Sequence, residues 1–120
     1  MLFRSSIAEL RDGTVRSYRV VPEDFGLRRA PLEAISGGDA KHNAEIIHKI
    51  LGSSLIHHEH GPRRDIVLAN SAAALVSAGR ATDFLVGVRL AQESIDSGAA
   101  RAKLDALVRS EERRVGKECA

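Results

Sequence analysis

"SIAELRDGTVRSYRV", residues 6–20, carries the clearest local signal in the chain. Asp12-Gly13 stands between two runs with strand-forming character. A two-residue Asp-Gly loop suits a type I′ turn, because both residues tolerate positive φ. The turn sets the register: Leu10 opposite Val15, Glu9 opposite Arg16, and Ile7 opposite Tyr18. Glu9–Arg16 is then a cross-strand ion pair, worth a few tenths of a kcal/mol when exposed. A lone hairpin is marginal in water, so these strands need a surface to lie on.

Beyond the hairpin the chain reads as helices. Pro22 and Pro31 punctuate "VPEDFGLRRAPLEAISGG", residues 21–38, and Pro31 is placed to open a short helix. In "GGDAKHNAEIIHKIL", residues 37–51, Ala40, Ala44, Ile47 and Leu51 recur at helical spacing, Ile46 and Ile50 widen the stripe, and Gly52 ends it. "SSLIHHEHGPRR", residues 53–64, reads as an exposed loop. "DIVLANSAAALVSAG", residues 65–79, is apolar almost all round, which predicts a central helix buried on several sides and capped at Gly79. "TDFLVGVRLAQESIDSG", residues 82–98, starts from a Thr82 cap and carries Phe84, Val88, Ala91 and Ile95 on one face. Gly98 ends it. Ser97 is then placed to cap a last helix that turns Ala100, Leu104, Leu107 and Val108 inward. The expected architecture is a β-hairpin followed by four to five α-helices.

Composition bounds the function. The 120 residues suffice for one modest domain or a piece of a larger one. Aromatics are only 3%, so the core must be built from Ala, Val, Ile and Leu, which is thin for a free-standing domain. A net charge of +2, with both signs interspersed, argues against a nucleic-acid partner. "MLFRSSIAEL" has no apolar run long enough for a signal peptide or a membrane span, so a cytoplasmic protein with no membrane partner is expected. The single cysteine, Cys119, excludes an internal disulfide framework.

The chemistry-bearing candidates each have a plainer explanation. "SGGDAKHNAEI", residues 36–46, places two glycines at a helix start, where backbone N–H groups can cradle a phosphate. It has no Lys or Ser/Thr in P-loop spacing, and Asp39 puts negative charge where the anion would sit. A tight turn capped by Asp39 is the better reading. His42 and His48 are six apart and point to different faces of one helix. His57, His58 and His60, with Glu59, form the densest cluster, but no second Cys/His group completes a zinc set. No serine lies in a GxSxG elbow, and Cys119 is too near the C-terminus to be shielded. Asp65 reads as a helix cap with Arg63 and Arg64 solvated. Glu23 and Asp24 suit a turn better than a cation. No catalytic, cofactor-binding or metal residue is assigned.

Taken in order, "IAELRDGTVRSYRV", "PEDFGLRRAPLEAISGGDAKHNAEIIHKIL", "GPRRDIVLANSAAAL" and "AQESIDSGAARAKLDALV" resemble the C-terminal part of anthranilate phosphoribosyltransferase, over about Ile7 to Val108. "PEDFGL", "GGDAKHNA" and "IDSGAA" in that order carry the specificity. The resemblance implies a parent enzyme with a small helical domain and a larger α/β domain, of which residues 1–108 are a C-terminal piece. It implies transfer of a phosphoribosyl group from phosphoribosyl pyrophosphate to anthranilate, with Mg²⁺, in a homodimer. It also implies that the phosphate loop, the anthranilate contacts and the metal carboxylates lie upstream of the matched region, so this chain alone is expected to be inactive and to bind no metal.

Several positions depart from the family pattern. "MLFRSS" stands where family members carry an Asp-Glu pair that holds Mg²⁺. "SSLIHHEH" is longer and richer in His. Leu85 and Val86 replace charge. "RSEERRVGKECA", residues 109–120, matches nothing in the family and reads as a read-through or assembly scar. The alternative is an independent small helical binding module that uses the His57–His60 loop for metal.

Overall fold

The computed structural model describes residues 4–52 and 60–118. Strands β1 (Ser5–Arg11) and β2 (Thr14–Val20) form the antiparallel hairpin. Its register pairs Ile7 with Tyr18, Glu9 with Arg16 and Leu10 with Val15, as the turn predicts. Asp12 at φ 50° and Gly13 at φ 75° supply the two left-handed residues that a type I′ turn requires. The Glu9–Arg16 ion pair does not form. Glu9 instead binds Arg11 of its own strand at 2.8 Å and accepts a hydrogen bond from the Tyr18 hydroxyl at 3.3 Å. An exposed pair is worth so little that a nearer cation on the same sheet face displaces it. Period-two alternation puts Ile7, Tyr18 and Val20 on the core side. The opposite face leaves Leu10 72% and Val15 65% exposed.

Two 3₁₀ turns, Pro22–Phe25 and Leu32–Ile35, carry the chain off the hairpin. In the first, Asp24 accepts a hydrogen bond from the Val21 backbone N–H at 2.8 Å, and Phe25 is driven inward. There its ring stacks on Phe84, centroids 4.6 Å apart.

Helix α1 (Ala40–Ile50) is capped as expected: the Asp39 carboxylate accepts from the His42 N–H at 2.8 Å. Its buried face is not the expected stripe. Ile50 is buried and Ile46 and Leu51 pack partly, while Ala40, Ala44 and Ile47 face solvent. The helix touches the core with its C-terminal end, so the flank of the stripe, not its centre, decides the orientation.

Helix α2 (Pro62–Ser77) starts at Gly61 with Pro62 in its first turn, three residues before the predicted start. Asp65 therefore lies inside the first turn instead of capping it, and Arg64 is buried, not solvated. Gly79, at φ 68°, closes the helix as expected, with Arg80 N–H bonded to Leu75 C=O at 2.8 Å and Gly79 N–H to Val76 C=O at 3.0 Å. Only Leu68 and Ala72 of its apolar residues are fully buried, so the helix is central on one side alone.

Helix α3 (Phe84–Asp96) is capped by Asp83, not Thr82: its carboxylate accepts from Val86 N–H at 2.8 Å. Val88, Ala91 and Ile95 are buried as the periodicity predicts, and Gly87 lies flat against Ala72 of α2. Gly98, at φ 82°, ends α3, and the Ser97 hydroxyl accepts from the Ala99 N–H at 3.4 Å as α4 (Ala99–Glu118) begins. Leu107 and Val108, expected inward, are 58% and 46% exposed, because α4 runs on beyond the end of the surface it packs against. The core, Val20, Phe25, Ile50, Leu68, Ala72, Val88, Ala91 and Ile95, is centred on the α2–α3 crossing. Among the described residues no helix is long and apolar enough to cross a membrane.

Candidate functional site

Gly37-Gly38 makes no anion cradle. Asn43, reaching back from α1, accepts from the Gly38 N–H at 2.8 Å and donates to the Gly38 carbonyl at 3.0 Å. A Cβ at Gly37 would meet the Asn43 Oδ1 at 2.5 Å. Asn43 and Asp39 between them satisfy the turn and the helix start from within the chain, and Asn43 is the partner that the glycine spacing did not disclose.

The acidic turn is also internally satisfied. Asp24 holds its own turn, and Glu23 pairs with Arg29, whose hydrogen bond holds the Glu23 carboxyl below its ordinary range. His42 and His48 stand exposed on α1, and His60 is exposed just ahead of α2. His57, His58 and Glu59 lie outside the described residues, as does Cys119. Among the described residues no group of three or more His, Cys, Asp or Glu side chains is placed to hold a metal.

The polar groups that the fold does gather are at the entry of α2. Arg64 is 5% exposed and its Nη2 donates to Asp96, at the end of α3, across 2.7 Å. Its Nε is buried without a hydrogen-bond partner. The pair ties the start of one core helix to the end of the other. Sequence reasoning missed it because the partners are 32 residues apart.

Asp65, the next residue, is half-buried. Desolvation raises its pKa, and Arg64, Arg28 and His60 oppose that shift. No described residue bonds to its carboxylate, since the neighbouring Arg64 is taken by Asp96. Two cavities meet beside it. One is a small slot of about 90 Å³ lined by Val20, Phe25, Leu27, Ile35, Ile66 and Ala69 among others. The second is a more polar groove of about 450 Å³ reaching Gly61, Arg64, Gln92 and Asp96. Arg28 and Asp65 line both.

A sequence model of the "Glycosyl transferase family, a/b domain" matches residues 2–101. The anthranilate phosphoribosyltransferase of Syntrophotalea carbinolica is 52% identical over 103 residues, covering 86% of this chain and 28% of that protein. That of Methanobrevibacter smithii is 45% identical over 105 residues, covering 88% and 30%. The crystal structure of anthranilate phosphoribosyltransferase from Thermus thermophilus superposes with a TM-score of 0.68 at 37% identity, over 75% of this chain and 26% of the other. The chain thus spans little more than a quarter of the length of the relatives it matches. Hairpin, helices and ordered motifs agree with these matches: the chain belongs to the a/b domain of the glycosyl transferase family, and is similar over most of its length to the C-terminal part of anthranilate phosphoribosyltransferases.

Proposed function

We propose that this chain is the C-terminal scaffold of the larger domain of an anthranilate phosphoribosyltransferase. That enzyme moves the phosphoribosyl group of phosphoribosyl pyrophosphate onto the amine of anthranilate, in the cytoplasm, as a step of tryptophan biosynthesis. The identity of 52% over 103 residues supports this most directly. The ordered motifs support it too, since each has a structural task in the fold. "PEDFGL" makes the 3₁₀ turn that seats Phe25, "GGDAKHNA" makes the turn that Asp39 and Asn43 close, and "IDSGAA" makes the α3–α4 corner. In this reading no group of the chain touches the reacting atoms. Mg²⁺, both substrates and the contacts of a homodimer fall to residues other than those described.

A chimera tests the proposal. Residues 7–108 replace the matching segment of the Syntrophotalea carbinolica enzyme, and phosphoribosyl anthranilate formation is followed by loss of anthranilate fluorescence. The chimera should turn over, and the isolated chain should not exceed a blank without protein. A chimera that unfolds at the temperature of its parent yet has no activity would refute the scaffold reading. Turnover by the isolated chain would refute it equally.

A further inference from the structure

We propose that Arg28, Asp65 and the apolar slot between them form a binding site for a small α-amino acid with an apolar side chain. The site is separate from the scaffold role and does not depend on it.

The charges select the ligand. Arg64 is neutralised by Asp96, which leaves the guanidinium of Arg28 and the carboxylate of Asp65 facing the groove beside the His60 ring; Arg28 and His60 both attract the Asp65 charge, but among the described residues neither Arg28 nor Asp65 has a side-chain hydrogen bond or a salt bridge. A plain anion would face Asp65, and a plain cation would face Arg28. A zwitterion answers both. Its ammonium donates to Asp65 and its carboxylate accepts from Arg28, and such charge-assisted bonds are the strong ones. A carboxylate partly stripped of water and given no donor by the protein gains most from a charged one. Desolvation acts on Asp65 in that way.

The slot selects the side chain. Its walls are mostly aliphatic and aromatic, and a cavity of about 90 Å³ has room for a small branched aliphatic group. Arg28 and Asp65 line both cavities, so a ligand held by its α-carbon at their boundary can send its side chain into the apolar one.

Leucine is the probe, with isoamylamine and isocaproate as arms that lack the carboxylate or the amine. Binding is read from amide chemical shifts in ¹⁵N-labelled protein, on the 120-residue chain and on the chimera. Leucine should saturate, and each half-ligand should bind at least about tenfold more weakly. Asp65→Asn and Arg28→Gln should each cost about the same factor, and Ala69→Leu, which fills the slot, should abolish binding. Absence of a saturable leucine shift in both proteins overturns the proposal. So does binding that Asp65→Asn leaves unchanged, or isoamylamine binding as tightly as leucine. A chimera that binds leucine without activity would refute the scaffold role and leave the site standing.

Discussion

Gly87→Ala is the sharpest perturbation of the core. A Cβ built on Gly87 would lie 2.8 Å from Ala72 Cα, 2.9 Å from its Cβ and 2.9 Å from its carbonyl oxygen. Ordinary Cβ contacts begin near 3.4 Å, so α3 must withdraw from α2 by about 0.6 Å. A gap of that order forfeits roughly a quarter or more of each dispersion contact it opens. The contacts at risk are those of Val88, Ala91 and Ile95 with Leu68 and Ala72, the centre of the core. Overpacking of this kind costs about 1–3 kcal/mol, and a clash against backbone belongs at the upper end. Alanine's helix propensity returns about 1 kcal/mol. The net expectation is about 2 kcal/mol of destabilisation, read as a lowered urea midpoint by far-ultraviolet circular dichroism of the chimera that carries residues 7–108, in which the segment has the rest of its domain to pack on. Ala72→Gly removes only the Cβ contact and leaves the Cα and carbonyl in place, so the double variant should recover less than half of the loss. A Gly87→Ala chain at least as stable as its parent, or full rescue by Ala72→Gly, would mean that this close crossing does not hold the two helices.

Four more outcomes are expected. Asp96→Ala should destabilise by about 2 kcal/mol, because it strands a buried guanidinium whose Nε already lacks a partner; Asp96 is itself half-exposed, which places the cost below that of a fully buried pair. Arg64→Met should be close to neutral in the same urea titration, and a larger loss from Arg64→Met than from Asp96→Ala would contradict that account. Asp65 is an acid whose folded pKa is raised, so the folded chain holds the proton more tightly: the penalty is absent below the unfolded value near 3.8 and grows as pH rises through the raised folded value. Asp65→Asn should therefore raise stability at about pH 7 and leave it unchanged at about pH 3, and a loss at neutral pH would show that the carboxylate has a stabilising partner. The isolated chain should unfold broadly and bind a hydrophobic dye; a sharp transition above about 60 °C in a monodisperse sample would oppose this.

What was legible in the sequence was local. Asp12-Gly13 fixed turn type and register together, because a two-residue loop allows few alternatives. Asp39, Gly79 and Gly98 marked helix ends, because caps are satisfied within a few residues. Faces and buried charge were not legible. The stripe on α1 had two acceptable centres, and the choice rests on which end of the helix meets the core. Leu107 and Val108 have helical spacing but no partner surface. Arg64 looked like a solvated member of "GPRR" until Asp96 came within 2.7 Å of it. The slot was invisible for the same reason: Arg28 and Asp65 come from a loop and a helix, and no spacing between them carries a signal.

Stability and function meet in how the surface is divided. The chain exposes 8753 Å², against roughly 6,300 Å² for a compact monomer of this mass. The excess is not spread evenly. The α2–α3 crossing is closed, with Leu68 1% and Ala72 0% exposed, and Phe25 stacked on Phe84 beside it. The open apolar surface lies on the Leu10–Val15 face of the hairpin, along Leu107, Val108 and Val115 of α4, and at Leu32, Ile47, Ile66 and Leu85 around the helices. A hairpin with one apolar face bare and neither outer edge paired within the described residues gains little by itself. Its register is nonetheless fixed by its own turn. A sheet element that is specified locally but not stabilised locally is a template: it holds its geometry ready and gains its stability when more of the domain lies on it. That division suits a scaffold. Under the proposed scaffold role, the ordered motifs make the turns and the corner around the closed helical pair, and the hairpin offers its bare face to further elements of the domain.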